Sequence, residues 1–132
     1  MLKIRRSVYN SIIQHAQEDP SIEACGYLAE KDGVVETPYR LTNTDASKEH
    51  FSMDPKEQFE TVRKIRSESQ KLKAVYHSHP ETPARPSEED KKLAYDPDIS
   101  YVIVSLASEK PDVKSFSIRN KIVTHQEIEI TE

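Results

Sequence analysis

The sequence predicts one domain of the α/β or α+β sandwich class, in which helices pack on a mixed β-sheet. Three observations support this fold class. Short runs rich in β-branched and aromatic residues alternate with segments whose apolar residues recur at helical spacing. A strong hairpin signal lies in the first third of the chain, and three strand-like runs follow one another near its end. The 132 residues, taken as a single domain over 1–132, are enough to bury an apolar core.

The first third of the chain predicts one strand, one helix and one hairpin. Residues 2–4 form the short strand. The helix is expected from Ser7, its N-cap, to about Glu18, with Pro20 as a stop. Four apolar residues with helical spacing define its buried face: Val8, Ile12, Ile13 and Ala16. Residues 25–31 and 34–43 then predict two strands joined by an Asp-Gly turn.

A second helix is predicted after the hairpin. Asp54 is its expected N-cap, Pro55 suits the first helical position, and Glu57 stands where a capping box would place it. The buried stripe is expected to consist of Phe59, Val62, Ile65 and Leu72.

The second half of the chain predicts four strands and one short helix. A strand over 73–79 runs into a proline-rich loop, and a short helix is expected from Ser87 to about Tyr95. Apolar strands over 99–106 and 113–119 follow, and a last strand over 121–130 is expected after a turn at Asn120-Lys121.

Composition excludes several functional classes. The net charge of −4 argues against general nucleic-acid binding, which requires a basic surface. The basic run over 63–66 is interpreted as the solvated face of a helix. No apolar run approaches the roughly 20 residues that span a bilayer, and no secretory signal pattern follows the N-terminus. The single Cys25 allows no intramolecular disulfide, and a cytoplasmic protein is therefore expected.

A cluster of candidate metal ligands lies between residues 77 and 90. His77 and His79 point to the same face of a strand, with Cα atoms about 7 Å apart, and imidazole is a preferred ligand of zinc. Prolines restrict the loop that leaves the strand. At the following helix start, Ser87 and Asp90 share a face, while the two glutamates between them point away. Asp90 can complete a His-His-Asp set with an open fourth position.

Simpler interpretations exist for each part of this cluster. A His-x-His pair on a strand occurs without metal, and Ser87 with Asp90 can act only as a helix cap. Glu23 by itself would be an ordinary acid after a helix. Cys25 is interpreted as a buried residue and not as a nucleophile. The other histidines receive no role: His15, His50 and His125.

The spacing of this cluster resembles a known family signature. His77, Ser78 and His79 stand together, Ser87 follows after seven residues, and Asp90 follows after two more. This arrangement resembles the H-[ST]-H-x7-S-x2-D signature of the JAMM (MPN-plus) metallopeptidases. The segment PSIEACGYL resembles the region that carries the family's upstream glutamate. Asn43 and the FSMDP stretch resemble its small prokaryotic members, so that the resemblance covers roughly residues 2–120.

This resemblance implies a fold, a cofactor and a set of roles. The fold would be JAMM/MPN-like, with an architecture similar to that of cytidine deaminases. His77, His79 and Asp90 would bind one Zn²⁺ per chain. Glu23 would act as general acid and base, and Ser87 would help to stabilise the tetrahedral intermediate.

The implied function is that of a zinc-dependent peptidase or isopeptidase. The substrate would be a ubiquitin-like or sulfur-carrier protein, cut after a C-terminal Gly-Gly, with its tail bound as an added strand near residues 39–53. Two alternatives stay open: a non-catalytic MPN-type protein-binding module, and a peptidase that acts on small peptides. A zinc deaminase is excluded, because its ligand set requires a second cysteine.

Overall fold

The computed structural model describes all 132 residues and contains eight strands and three helices. Their order along the chain is β1 (Leu2–Arg5), α1 (Arg6–Glu18), β2 (Cys25–Lys31), β3 (Val34–Leu41), α2 (Pro55–Ser67), β4 (Lys71–His79), α3 (Glu88–Lys92), β5 (Ser100–Ser105), β6 (Asp112–Arg119), β7 (Ile122–Gln126) and β8 (Ile128–Thr131). All strands belong to one sheet with the order β7-β6-β5-β4-β2-β3-β1-β8. Three neighbouring pairs are parallel, namely β1–β3, β1–β8 and β4–β5, and the others are antiparallel. The predicted mixed sheet is thereby confirmed.

The two long helices cover opposite faces of this sheet. Helix α1 buries Val8, Ile12 and Ala16 in a core cluster with even-numbered residues of β4, among them Ala74 and Tyr76. Helix α2 buries Ile65 in a second cluster on the other face, with Val75 and Leu72 of β4 packed against it. Side chains alternate between faces along a strand, so that one strand supplies both cores.

Both predicted turns are present. Asp32 and Gly33 have φ values of 54° and 83°, and Asn120 and Lys121 have values of 52° and 65°. Two consecutive residues with positive φ match the twist of the adjoining strands in a two-residue hairpin.

The first helix begins differently from the prediction. Its N-cap is Arg5, which has an extended backbone conformation and makes no side-chain capping hydrogen bond. The predicted cap at Ser7 is wrong, because β1 runs directly into the helix and Ser7 already lies inside it. The third helix also differs, since it ends at Lys92 and not near Tyr95.

The second helix confirms one capping residue and corrects the other. Asp54 accepts a hydrogen bond from the Lys56 amide at 3.3 Å. Glu57 does not complete a capping box, because its carboxylate accepts hydrogen bonds from the amide and hydroxyl groups of Thr42 at 2.7 and 3.1 Å. Phe59, predicted to be buried, is 65% exposed, and the guanidinium group of Arg63 lies 5.9 Å from its ring centre.

The predicted helical stripe is also wrong at Leu72, which belongs to β4. The basic residues Arg63, Lys64 and Arg66 are exposed, as the interpretation of a solvated face requires.

The last predicted strand is in fact two strands at opposite edges of the sheet. β7 ends at Gln126 on one edge, and β8 begins at Ile128 on the other. Only Glu127 lies between them, and its carbonyl accepts a hydrogen bond from the Leu2 amide at 2.8 Å. The sheet must therefore curl until its two edges are about two residues apart, or about 7 Å.

None of the three helices has the length and the apolar character that would allow it to cross a membrane.

The segment from 42 to 54 contains no strand. Within residues 39–53, only the end of β3, up to Leu41, is therefore a strand with which an added substrate strand could pair.

Candidate metal centre

Three potential ligand atoms form a compact triangle at the end of β4. The Nε2 atoms of His77 and His79 lie 3.1 Å apart, and each is 3.2 Å from Oδ2 of Asp90. A tetrahedral zinc ion with bonds of about 2.0–2.1 Å holds its ligand atoms about 3.3–3.4 Å apart, which nearly matches this triangle. The three residues therefore form a group that could hold a metal ion.

The sheet and the following loop bring these residues together. His77 and His79 share the face of β4 that α2 covers, as strand alternation requires. Behind them, the hydroxyl of Ser105 donates to the Thr82 carbonyl at 2.7 Å, and the Leu106 amide donates to the His79 carbonyl at 3.0 Å. These hydrogen bonds and two buried residues, Ala84 and Pro86, fix the loop that leads back to α3.

The start of α3 sets the orientation of Asp90. The Ser87 hydroxyl accepts a hydrogen bond from the Asp90 amide at 3.0 Å, and the Ser87 amide donates to Asp90 Oδ2 at 2.9 Å. Burial would raise the pKa of Asp90, but hydrogen bonds from the two histidines and the Ser87 amide hold it well below its ordinary range. Asp90 is therefore a carboxylate at neutral pH, as a metal ligand must be.

One histidine has a defined tautomer. Nδ1 of His79 lies 2.9 Å from the Pro83 carbonyl, which can only accept, so that Nδ1 carries a proton and it is Nε2 that offers a lone pair to a metal ion once its own proton is lost. Burial lowers the pKa of His79, but its contacts with Asp90 and Pro83 outweigh that effect and raise the pKa above its ordinary value. Protons therefore compete with a metal ion for this imidazole.

Glu23 lies beside this triangle, although more than fifty residues separate it from the histidines. Its side chain is buried and its Oε1 atom has no hydrogen-bond partner. Burial, together with the nearby charges of Asp90 and Glu89, raises the pKa of Glu23 to about 8, and His79 partly opposes this rise. A buried carboxyl group with a pKa near neutrality is suited to proton transfer.

Ser78 holds the Glu23 segment in place. Its buried hydroxyl accepts a hydrogen bond from the Ala24 amide at 2.8 Å, and the Ser78 amide donates to the Ala24 carbonyl at 2.9 Å. Because Cys25 pairs with His77, continuing this register places Glu23 next to His79. The sequence prediction assigned no role to Ser78. The available signal was that a strand residue between His77 and His79 must point to the opposite face of the sheet.

Asn43 connects the Glu23 segment to the irregular segment 44–53. Its side-chain amide donates to the carbonyl groups of Glu23, Ser47 and His50 at 3.1, 3.3 and 3.0 Å. Its Oδ1 atom accepts from the amides of Asp45 and Ser52 at 3.0 and 3.2 Å. One buried amide thus organises a segment that has no strand or helix of its own.

This organised segment forms one wall of a cavity next to the predicted ligands. Phe51 stacks on the His77 ring with centroids 4.8 Å apart. The cavity has a volume of about 380 Å³ and is largely apolar. Its lining includes His77 and Asp90, together with Leu93, Tyr95 and Tyr101. A chain bound in this cavity would lie against the candidate metal ligands His77 and Asp90.

The residues that were assigned no chemical role lie in structural positions. Cys25 is fully buried, and burial raises the pKa of its thiol to about 12, so that it is not a nucleophile. His15 contacts the Tyr76 hydroxyl through Nδ1 at 2.7 Å on the α1 side of the sheet. His50 contacts Asp45 at 3.0 Å and lines the cavity, whereas His125 packs against Phe116.

Comparisons with known proteins identify relatives along the whole chain. Residues 5–119 match the model of the family described as prokaryotic homologs of the JAB domain. The chain is 34% identical over 136 residues to the CysO-cysteine peptidase of Mycobacterium tuberculosis, covering 100% of this chain and 92% of the relative. It is 32% identical over 111 residues to the desampylase of Haloferax volcanii, covering 79% and 80% of the two chains.

Solved structures agree with this assignment. A solution structure from Desulfitobacterium hafniense superposes with a TM-score of 0.91 at 44% identity, covering 100% of this chain and 94% of the other. A JAB1/MPN domain protein from Archaeoglobus fulgidus has the same fold, with a TM-score of 0.68 at 21% identity and coverages of 100% and 98%. Together with the family match over most of its length, these findings establish that the chain belongs to the prokaryotic JAB-domain family, as the JAMM-like motif predicts.

Proposed function

We propose that this protein is a zinc-dependent peptidase of the JAMM type that cleaves the amide bond after the C-terminal Gly-Gly of a ubiquitin-like or sulfur-carrier protein. The observation that carries the proposal is the triangle of ligand atoms from His77, His79 and Asp90, with edges of 3.1–3.2 Å. Two imidazoles and one carboxylate leave a fourth tetrahedral position open, as in catalytic zinc sites.

His77, His79 and Asp90 would hold a zinc ion, which would supply Lewis acidity and would lower the pKa of a water molecule from about 15.7 to about 7. Glu23 accepts the proton of the attacking water and later returns it to the leaving amine. Its buried position and its free Oε1 atom support this role, because no other hydrogen bond competes for the carboxyl group.

Ser87 stabilises the negative charge that develops on the substrate carbonyl oxygen. Its hydroxyl oxygen accepts from the Asp90 amide, so that the hydroxyl hydrogen can be donated to the substrate. A donor placed before the reaction stabilises an oxyanion without reorganisation. Ser87 combines this role with the capping of α3.

The names of the relatives support the substrate class. One relative is a CysO-cysteine peptidase and another is a desampylase. The largely apolar cavity next to the candidate metal centre, of about 380 Å³, can hold a flexible tail beside His77 and Asp90. Two glycines would approach these residues most readily, since they lack side chains.

The decisive experiment uses sulfur-carrier and ubiquitin-like proteins that carry a C-terminal extension after Gly-Gly. Each is incubated with the zinc-loaded protein, with and without chelator, and the products are identified by intact-protein mass spectrometry. We expect a single cut after the second glycine that the chelator abolishes. Replacement of both substrate glycines by leucine should reduce cleavage sharply, and equal cutting of that substrate would exclude Gly-Gly recognition.

The two alternatives predict other results in the same experiment. A protein-binding module would bind the carrier but leave its mass unchanged. A peptidase for small peptides would cut a short Gly-Gly peptide and leave the folded carrier intact. Zinc-dependent cleavage of the folded carrier contradicts both alternatives.

A further inference from the structure

Four basic side chains surround a second cavity beside the metal centre. This cavity, of about 330 Å³, lies between α3 and the β6–β7 turn. The residues that we call the basic rim are Lys91, Lys92, Arg119 and Lys121. No acidic side chain lines the cavity, although acidic residues outnumber lysine and arginine in the chain by 23 to 19.

Little in the chain neutralises the basic rim. Lys91 pairs with Glu88, which is itself almost fully exposed, at 3.1 Å. Lys92, Arg119 and Lys121 form no ion pair with any acidic side chain within 4 Å. Positive charge thus accumulates locally on a protein whose overall charge is negative, which favours an acidic partner at this place.

The basic rim is continuous with the cavity at the metal centre. Tyr95 and Ile118 line both cavities. The larger cavity is bounded by His77 and Asp90, so that a chain leaving the metal centre past Tyr95 arrives at the rim. The two cavities differ in charge, because the one at the metal centre contains acidic groups and the rim contains none.

Exposed apolar side chains accompany these charges. Tyr95 is 81% exposed, and Leu93 and Ile122 are also exposed. Large exposed apolar side chains are typical of protein-binding surfaces, where aromatic residues and arginine are enriched. The tight turn at Asn120-Lys121 holds Arg119 and Lys121 on a short hairpin, which limits the entropy lost on binding.

We propose that the basic rim, with Leu93, Tyr95 and Ile122, docks an acidic face on the folded body of the substrate protein while its tail occupies the cavity at the metal centre. This inference rests on the proposed function, since it presumes a folded carrier substrate. The rim would select substrates by the charge of the body, whereas the cavity would select by the shape of the tail. Charge pairs at such a rim act mainly on encounter and KM.

The test compares two charge-reversed variants of the full protein loaded with zinc. Arg119→Glu with Lys121→Glu reverses the rim. Lys3→Glu with Lys31→Glu reverses the same number of exposed charges outside it. Both are assayed on an acidic ubiquitin-fold carrier extended after Gly-Gly, and on a short peptide with the same C-terminal sequence.

We expect the rim variant to raise KM for the carrier by about tenfold at low salt, with kcat within about twofold of the parent. The peptide, which lacks the body, should show a much smaller change, and the control variant should resemble the parent on both substrates. Added salt should reduce the difference between parent and rim variant. Lysine substitutions on the acidic face of the carrier should restore binding to the rim variant.

Other outcomes separate this inference from the proposed function. Equal KM values of the parent and the rim variant for the carrier would overturn docking at the rim and leave the peptidase function intact. If no substrate is cut, carrier binding to the two variants is measured by calorimetry. Equal affinities would again overturn the inference. Tighter binding of an RNA or DNA duplex than of the carrier, lost in the rim variant, would assign the rim to nucleic acid instead.

Discussion

The carboxyl group of Glu23 can be separated from metal binding by a single substitution. It lies outside the triangle of predicted ligands and has a free Oε1 atom. Glu23→Gln preserves the size of the side chain but removes its ability to accept a proton. We expect turnover to fall by about 10²- to 10⁴-fold, the usual contribution of general acid–base catalysis. Zinc content, measured by mass spectrometry of the metal, should stay at one per chain, and its loss would make Glu23 a ligand.

Burial of the same residue predicts a pH dependence of stability. The pKa of Glu23 rises from an ordinary 4.5 to about 8 in the folded chain without metal. Between these values the folded state binds more protons than the unfolded state, so that stability falls as the pH rises. Between about pH 5 and pH 8, the melting temperature of metal-free Glu23→Gln should therefore rise progressively above that of the metal-free parent. If the two melting temperatures change with pH in parallel, the raised pKa of Glu23 is contradicted.

At the scale of the elements, the first turn of α3 distinguishes a ligand from its neighbours. Asp90 points at the histidines, whereas the side chain of Glu88 is 92% exposed. Asp90→Ala should weaken zinc binding by more than about 10²-fold, since loss of groups that merely orient ligands already costs about 10- to 100-fold. Glu88→Ala is the matched control and should retain zinc. Full zinc occupancy in Asp90→Ala, measured by competition with a chelator, would remove Asp90 from the site.

The irregular segment 44–53 depends on one side chain. Asn43 makes five hydrogen bonds to the backbone of this segment and of Glu23. Asn43→Ala should displace both Glu23 and the cavity wall that carries Phe51. Because displacements of about 1 Å can cost up to about 10²-fold in rate, we expect kcat to fall and KM to rise with zinc retained. Asn10→Ala, on an exposed position of α1, is the control, and equal kinetics of the two variants would contradict a positioning role.

At the scale of the whole molecule, the fold should survive removal of the metal. The main core cluster and the cluster under α2 consist of residues other than His77, His79 and Asp90. A protein of this size buries enough apolar surface to remain folded, unlike a zinc finger. The protein with chelator should still melt cooperatively, at a lower temperature than the zinc-loaded protein. A featureless melt and a disordered near-ultraviolet spectrum would show that the metal is structural.

The curled sheet is also a property of the whole molecule. β7 and β8 lie at opposite edges, and a single residue joins them. No local pattern signals this arrangement, because residues 122–131 have the composition of one continuous strand. The division into two strands follows from the partners that are available, β6 at one edge and β1 at the other.

The sequence by itself determined the features that depend on local geometry. Alternation along a strand places His77 and His79 on one face, and helical spacing brings Asp90 next to Ser87. The turn at Asn120-Lys121 and the cap at Asp54 are equally local, and both were predicted. The family signature was readable for the same reason, since its fixed spacings lie within one strand, one loop and one short helix.

Only the tertiary structure decided the features that depend on distant partners. The pairing of β2 with β4 brings Glu23 to the histidines, and a contact with Thr42 takes Glu57 away from its cap. Phe59 is exposed although its spacing predicted burial, because α2 covers the sheet with a narrower stripe centred on Ile65. The basic rim likewise joins residues of α3 to the β6–β7 turn. Such contacts depend on which strands pair and in which register, and residue spacing along one element carries no information about that choice.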